Sequence, residues 1–368
     1  MIQFSQEQLT ALDQLIKKNL AFVIYKMPLQ VTWHFIMQAD TPVEEFTDLS
    51  SLNTKSGYVI APFEPTTTYP ILLLTPDRDT IPSLKELKGF ESLNSTEADQ
   101  EKVVTDQMFD SYSSSFEKFM DPLRRGEAKK LVLSRRDVIE REQGMSLGKA
   151  FEQACLTNPN AYVYLLHTNR TGTWLGSTPE VILSGNKSKW QTVALAGTKP
   201  IICGVQQPWD AKNKLEQAFV SDYVKHQLQK FGANPQETGP IDISAGKVTH
   251  LVSHFNFELE DRSKLGDLLH LLHPTPAVCG TPKAYAFRFI TQKEPQSRKY
   301  YSGFIGALDP EGQTNLYVNL RCMQISKKYC TLYAGGGLLL TSKLEEEWSE
   351  TENKMQTMKA LLGAKKIS

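Results

Sequence analysis

The run LYVNLRCMQI, Leu316 to Ile325, alternates apolar and polar residues, and only four residues separate it from CTLYAGGGLLL, Cys330 to Leu340. Branched and aromatic side chains at period two predict a strand in each. The next helical stripe begins only at about Leu344 and runs to about Leu362. The same clustering recurs upstream. Ala21 to Tyr25, Val31 to Phe35 and Tyr58 to Ile60 are short β-like runs split by Pro and polar residues; Lys130 to Arg135, Tyr162 to Leu166, Val181 to Leu183 and Gln191 to Leu195 form a second group. Helices fall between the groups: one after the capping-box pair Ser5 and Gln8, one carrying Phe109, Phe116, Phe119 and Leu123 as far as Gly126, and a long one from Pro208 to Phe231 stopped by Gly232. Glu91 to Gln100 is polar and reads as a loop. Strands in clusters, instead of a helix after every strand, predict an α+β fold of large antiparallel sheets flanked by helices. No GxGxxG or GxxxxGK[ST] follows a strand, so a nucleotide-binding fold has no support.

With 41 basic and 41 acidic residues in 368, the chain has no net field to recruit nucleic acid or an anionic membrane. No stretch reaches the roughly 18 uninterrupted apolar residues of a membrane span, and the first residues lack a signal-like pattern, which predicts a cytoplasmic protein. Cys155, Cys203, Cys279, Cys322 and Cys330 are odd in number and form no CxxC pair. They read as reduced thiols of the core or strands.

Two helices carry acids where apolar residues belong. At 100° per residue, Phe219, Val220, Tyr223, Val224 and Phe231 lie on one arc with Glu216 in its middle, whereas Asp222 points away. In the last helix Leu344, Trp348, Met355, Met358 and Leu362 define the apolar face; Glu347 lies inside it, Glu350 at its edge, and Glu345 and Glu346 face out. An ionised carboxylate facing a core costs several kcal/mol unless paired or bound to a cation. Glu216, Glu347 and Glu350 together would make an all-oxygen site of the kind Mg²⁺ prefers; the competing reading pairs them with Lys354 or another base.

Other residues could hold or transform an anion. Gly335, Gly336 and Gly337 offer bare backbone N–H groups, or else only a turn or bulge. Arg321 lies on the Tyr317, Asn319 and Met323 face of its run and suits bidentate carboxylate capture, or else pairs with a structural acid. Lys130 opens a strand, as a general base if its setting is apolar or as a solvated end if not. Glu180, after Gly176-Ser177-Thr178-Pro179, could be a carboxylic acid kept protonated by burial. No HExxH and no GxSxG is present, so zinc hydrolysis and serine acyl transfer are unsupported.

Together the motifs KLVLSRR (Lys130 to Arg136), GSTPEVIL (Gly176 to Leu183), ALAGT (Ala194 to Thr198), LHPTPAVCGTP (Leu272 to Pro282), YYSGFIG (Tyr300 to Gly306), YVNLRC (Tyr317 to Cys322), YAGGGL (Tyr333 to Leu338) and EEWSETENK (Glu346 to Lys354) resemble the chorismate-binding enzymes. That family contains anthranilate synthase component I, aminodeoxychorismate synthase, isochorismate synthase and salicylate synthase. The likeness runs from about Thr105 to Leu362; the first hundred residues match loosely. It implies a single anthranilate synthase component I-like domain over residues 1–368, with 105–362 the chorismate-binding catalytic region and 1–104 a strand-rich portion of the same fold.

The resemblance further implies that Glu216, Glu347 and Glu350 bind Mg²⁺, which holds the ring carboxylate of chorismate. Arg321 and the backbone of Gly335, Gly336 and Gly337 would meet the enolpyruvyl carboxylate; Gly197, Thr198, His273, Gly303 and Tyr333 would complete the pocket. Gln217 departs from the Glu-His pair usual in the metal helix. Ala196 stands where aminodeoxychorismate synthases carry a nucleophilic lysine; a lysine at Lys130 is similar to the water-activating pattern of isochorismate and salicylate synthases, and the LHPTPAVCGTP segment is most similar to isochorismate synthases. The implied activity is isochorismate synthase, with Lys130 as base and Glu180 as acid, serving menaquinone or siderophore biosynthesis. Salicylate synthase is the alternative, and a catalytically silent chorismate-binding protein a third. The implied partner is chorismate alone, bound by a monomer with no glutamine amidotransferase subunit.

Overall fold

The computed structural model describes residues 3–92, 108–200, 208–245 and 248–362. Helix α1 (Gln6–Lys17) is followed by strands β1 (Ala21–Lys26), β2 (His34–Gln38), β3 (Glu44–Phe46), β4 (Gly57–Ala61) and β5 (Ile71–Leu74) and the short α2 (Leu84–Leu87). Helix α3 (Met108–Arg124) leads to β6 (Lys130–Glu140), α4 (Leu147–Thr157), β7 (Tyr162–Thr168), β8 (Gly172–Thr178), β9 (Val181–Asn186), β10 (Lys189–Pro200) and α5 (Ala211–Lys230). Then come β11 (Gln236–Ala245), β12 (Val248–Glu258), α6 (Leu265–Leu272), β13 (Gly280–Thr281), α7 (Lys283–Lys293), β14 (Phe304–Leu308), β15 (Gln313–Val318), β16 (Cys322–Ile325), β17 (Tyr329–Leu338) and α8 (Leu344–Lys359).

Among the described residues the strands form two sheets, one of eight in the order β13-β6-β17-β16-β8-β7-β1-β2 and one of nine in the order β11-β12-β10-β9-β15-β14-β4-β5-β3. Every pairing is antiparallel, as the strand clustering predicts. Tyr58, Tyr162, Tyr164, Trp174, Ile305 and Tyr333, drawn from both sheets, make one buried cluster between them. Helices α1, α4 and α8 cover the other face of the eight-stranded sheet, and α5 and α6 that of the nine-stranded one. The N-terminal portion is woven into both: β1 and β2 edge one sheet, β3 to β5 the other.

Local chemistry explains the elements. Ser5 Oγ accepts from Gln8 N at 3.1 Å while Ser5 N donates to Gln8 Oε1 at 2.9 Å, the reciprocal cap read from sequence. Gly232, with φ +96°, ends α5. The Val31 to Phe35 run begins later than predicted, at His34, and Val31 is exposed. Of the polar loop read over Glu91 to Gln100, residues 93–100 lie outside the described residues. Cys203 does too; the other four cysteines are free and buried. No described helix is long and apolar enough to cross a membrane.

Leu316 to Ile325 is not one strand: β15 belongs to the nine-stranded sheet, β16 to the eight-stranded, and the chain crosses between them at Asn319, Leu320 and Arg321. The alternation survives because both halves turn one face to the shared core. Buried Asn319 holds the crossing, accepting from the Tyr164 hydroxyl at 2.6 Å and donating to the Tyr300 carbonyl at 2.9 Å. Between β8 and β9 the chain makes a second crossing, through Pro179 and Glu180. Because β8 pairs with β16 and β9 with β15, the two crossings lie side by side, tied by Ser177 N to Arg321 O at 3.1 Å and Val318 N to Glu180 O at 2.9 Å.

Candidate active site

The two crossings open onto a cavity of about 70 Å³, into which Glu180 and Arg321 both project. Its opposite wall comes from β17 and β6, paired so that Tyr333 faces Arg136, Gly335 faces Ser134 and Gly337 faces Val132. The period of two puts Lys130, Val132, Tyr333, Gly335 and Gly337 on the inner face. The glycines here are strand residues, not a turn. A Cβ on Gly337 would collide with Glu216 Oε1 and stand 2.8 Å from Lys130 Cε, and one on Gly336 would stand 2.7 Å from Glu347 Oε2. Glycine is what lets acids from two helices and a lysine come up against the backbone of one strand.

Each of the three acids meets a lysine. Lys130 Nζ, without solvent exposure, lies 2.8 Å from Glu216 Oε1 and has no hydrogen-bond partner among the described residues. Lys212, one turn before Glu216 on α5, lies 2.5 Å from Glu347 Oε1, which also accepts from Ser342 Oγ at 2.7 Å. Lys354 Nζ spans Glu350 Oε1 and the Gly335 carbonyl, each at 2.7 Å. Burial, reinforced by the charge of Glu350, raises the pKa of Glu347 although Lys212 and Ser342 pull it down. Burial also raises that of Glu350, but Lys354 and Lys212 outweigh it and the carboxyl ends below its ordinary range. Lys212 is itself desolvated, yet held above the usual lysine value by Glu347, Glu350 and Glu216 together, so one ammonium feels all three acids.

Glu180 is buried at the first crossing, and desolvation pushes its pKa up to about 8 against the pull of Lys130, Lys354 and Arg321. Arg321 holds a left-handed backbone, φ +45°, at the second. Such a conformation is strained for a side chain with a Cβ and is kept where the surroundings demand it. Its Nη2 lies 3.2 Å from His250 Nε2, and His250 Nδ1 lies 3.3 Å from the Gly197 carbonyl. Burial, together with the charges of Arg321 and Lys354, drives the imidazole down to about 3, so it is neutral and accepts at Nε2 while donating from Nδ1. Gly197, φ +74°, sits where the β10 and β12 register shifts, and its bulge brings the β10 backbone to the cavity wall.

Of the residues singled out in sequence, Glu180, Gly197, Glu216, Arg321, Tyr333, Gly335, Gly337 and Glu350 line the cavity. Lys130 stands behind Gly337 and Glu216, and Glu347 beside Gly336. Thr198 lies in β10, its backbone opposite His250. His273 and Gly303 are elsewhere: His273 Nε2 is 3.1 Å from the Pro62 carbonyl, and Gly303 packs where a Cβ would strike the Ala61 carbonyl. Glu216 is not in the middle of a buried arc. The buried face of α5 is Gln217, Val220, Ser221, Val224 and Leu228, with Glu216 at its edge. Gln217 spends its amide on the Ala194 carbonyl, at 2.9 Å, and so anchors α5 to β10. Lys212 and His250 escaped the sequence reading. The i to i+4 spacing of Lys212 and Glu216 was an available signal; nothing in spacing marked His250.

Magnesium takes hard carboxylate oxygens, and Glu347 Oε2 is buried with no hydrogen-bond partner among the described residues, so the donor set suits that ion in kind. As placed, the acids are paired with lysines, and among the described residues no three His, Cys, Asp or Glu side chains gather closely enough to hold a metal.

The sequence pattern of the family described as chorismate binding enzyme matches residues 74–363. The chain is 29% identical over 276 residues to isochorismate synthase DhbC of Bacillus subtilis (strain 168), a match covering 70% of this chain and 69% of that one. It is 32% identical over 247 residues to isochorismate synthase MenF of Escherichia coli (strain K12), covering 64% of this chain and only 56% of that protein. The solved structure of MenF, the menaquinone-specific isochorismate synthase from Escherichia coli, has the same fold: TM-score 0.75 at 23% identity, over 98% of this chain and 91% of that one.

Proposed function

The chain belongs to the family of chorismate binding enzymes, and we propose that within it the protein is an isochorismate synthase, adding water at ring C2 of chorismate and expelling the C4 hydroxyl. The observation that carries this is Glu180: a carboxyl pushed up to about 8 shares a cavity with Arg321 and with the Glu216 that pairs with buried Lys130. An acid still protonated at neutral pH beside a lysine is the pair that an exchange of hydroxyl groups requires.

Lys130, acting as the free amine, takes a proton from water as its oxygen bonds to C2 and becomes the ammonium that Glu216 faces. The C1–C2 double bond moves to C1–C6, the C5–C6 double bond to C4–C5, and the C4–O bond breaks as Glu180 protonates the departing hydroxyl. Proton transfers of this kind contribute about 10²–10⁴-fold per group. Arg321, steadied by His250, and the Gly335 backbone hold the enolpyruvyl carboxylate. Glu216, Glu347 and Glu350 would hold Mg²⁺, which when bound supplies positive charge to seat the ring carboxylate. Water as nucleophile calls for no glutamine amidotransferase, and Ala196, on the cavity wall, offers no nucleophile of its own.

Purified protein incubated with chorismate, with and without Mg²⁺, tests this by product chromatography. Isochorismate without pyruvate is the expected result. Salicylate with an equivalent of pyruvate would make it a salicylate synthase, and bound but unchanged chorismate a silent binder.

A further inference from the structure

We propose that Arg135 is a positioning residue for the acids of α8, setting the rotation of that helix about its own axis; the inference rests on Glu347 and Glu350 being cation-binding. Arg135 lies on β6 on the face opposite Lys130, toward α8. Its guanidinium carbon is 3.8 Å from the centre of the Trp348 ring, its Nε donates to Thr351 Oγ1 at 2.7 Å, and its Nη2 pairs with Glu352. Trp348 follows Glu347 in the chain, and Thr351 follows Glu350. Arg135 therefore grips the residue after each acid, and at 100° per residue a helix held at those two points cannot turn without carrying both carboxylates with it.

The surroundings make the grip stiff. Phe109 and Tyr112 of α3 meet Trp348 edge-on at 5.2 and 5.4 Å. Lys359 ties Glu352, at 3.3 Å, back to Asp137 of β6, at 2.7 Å. One strand thus locates Lys130 from one face and the α8 acids from the other. Stability alone does not account for the arginine. Its side chain is 7% exposed and its Nη1 is buried without a hydrogen-bond partner among the described residues, whereas an apolar side chain of similar size would bury the same surface with no orphaned donor. Residues that orient metal-binding side chains without touching the ion commonly govern affinity for it.

The test is R135K in the full-length protein, which keeps a positive charge beside Glu352 but loses the planar stack on Trp348 and the Nε bond. Binding of Mn²⁺ without substrate is followed by electron paramagnetic resonance, alongside the Mg²⁺ dependence of kcat and chorismate KM, and thermal unfolding. Mn²⁺ affinity and the Mg²⁺ half-saturation point should both weaken about 10- to 100-fold, with kcat largely restored at high Mg²⁺. T351V, which removes only the Nε acceptor, should move both in the same direction by less, and serves if R135K does not fold. Wild-type Mn²⁺ affinity in folded R135K or T351V, or a lowered Tm with unchanged Mn²⁺ affinity, would overturn the positioning role alone. Equal Mn²⁺ binding by wild type and E350Q would instead remove the cation reading, and this inference with it.

Discussion

Glu180 shows how one residue acquires a role from its place. Next to a proline at a strand end it is an ordinary acid; at the crossing between two sheets it is dry, and burial lifts its pKa to about 8 against the pull of Lys130, Lys354 and Arg321. Glu180→Gln should lower kcat by about 10²–10⁴-fold with little change in KM, read by steady-state kinetics. Because the donor must be protonated, kcat of the wild type should fall as pH passes about 8. The stability effect has the same sign. A carboxyl that binds its proton more tightly when folded contributes stability below the ordinary carboxylate range and loses it as pH rises toward 8. Denaturation at pH 5 and pH 9 should thus show wild type losing stability relative to Glu180→Gln. Lys130→Ala should abolish turnover and spare chorismate binding in a calorimetric titration; near-normal activity would remove Lys130 as the base. Both residues were legible as candidates in sequence. That Lys130 is dry and not a solvated strand end was not, since its setting is made by Glu216 and Gly337, far away in the chain.

At the scale of elements, β6 is the member on which the others are registered. Beyond the two-residue β13 its outer edge is closed by side chains instead of a strand: Glu294 accepts from Ser134 N at 2.7 Å, and Arg298 donates to the Val132 carbonyl at 2.8 Å and the Val278 carbonyl at 2.7 Å. The two pair at 2.7 Å with 2% and 4% of their side chains exposed. Removing one partner strands a buried charge, so Arg298→Met should cost about 3–5 kcal/mol, measurable by chemical denaturation. No periodicity announced this, because the pair substitutes for a strand that is missing. The helices were better announced. Glu347 is buried and Glu345 and Glu346 exposed, as the stripe on α8 predicts. On α5 the predicted arc was off by a residue, since Gln217 and Ser221 are buried polar groups that a reading by hydrophobicity discards.

For the whole molecule, size and chemistry point to different places. A groove of about 1010 Å³ beside Trp190 and Asn256 is far larger than the cavity at the crossings. Only the smaller one gathers a proton-holding carboxyl, a strained arginine and acids from two helices. If chorismate and Mg²⁺ bind there, the folded state gains about 2.7 kcal/mol at a hundredfold excess over Kd. Thermal unfolding should then shift upward by a few degrees with both present, by less with chorismate alone, and revert on chelation.

What the sequence alone determined was local: the antiparallel α+β class, since strand and helix periods are written in neighbouring residues, the caps, and the misplaced acids of α8. The motifs also sufficed to mark the family. Only the tertiary structure decided that a seemingly continuous strand is cut at Asn319 to switch sheets, that Glu180 and Arg321 stand at adjacent crossings, and that a lysine stands against each of the three acids. Those outcomes depend on which distant segments share one dry space, and neither alternation nor helical phase encodes that.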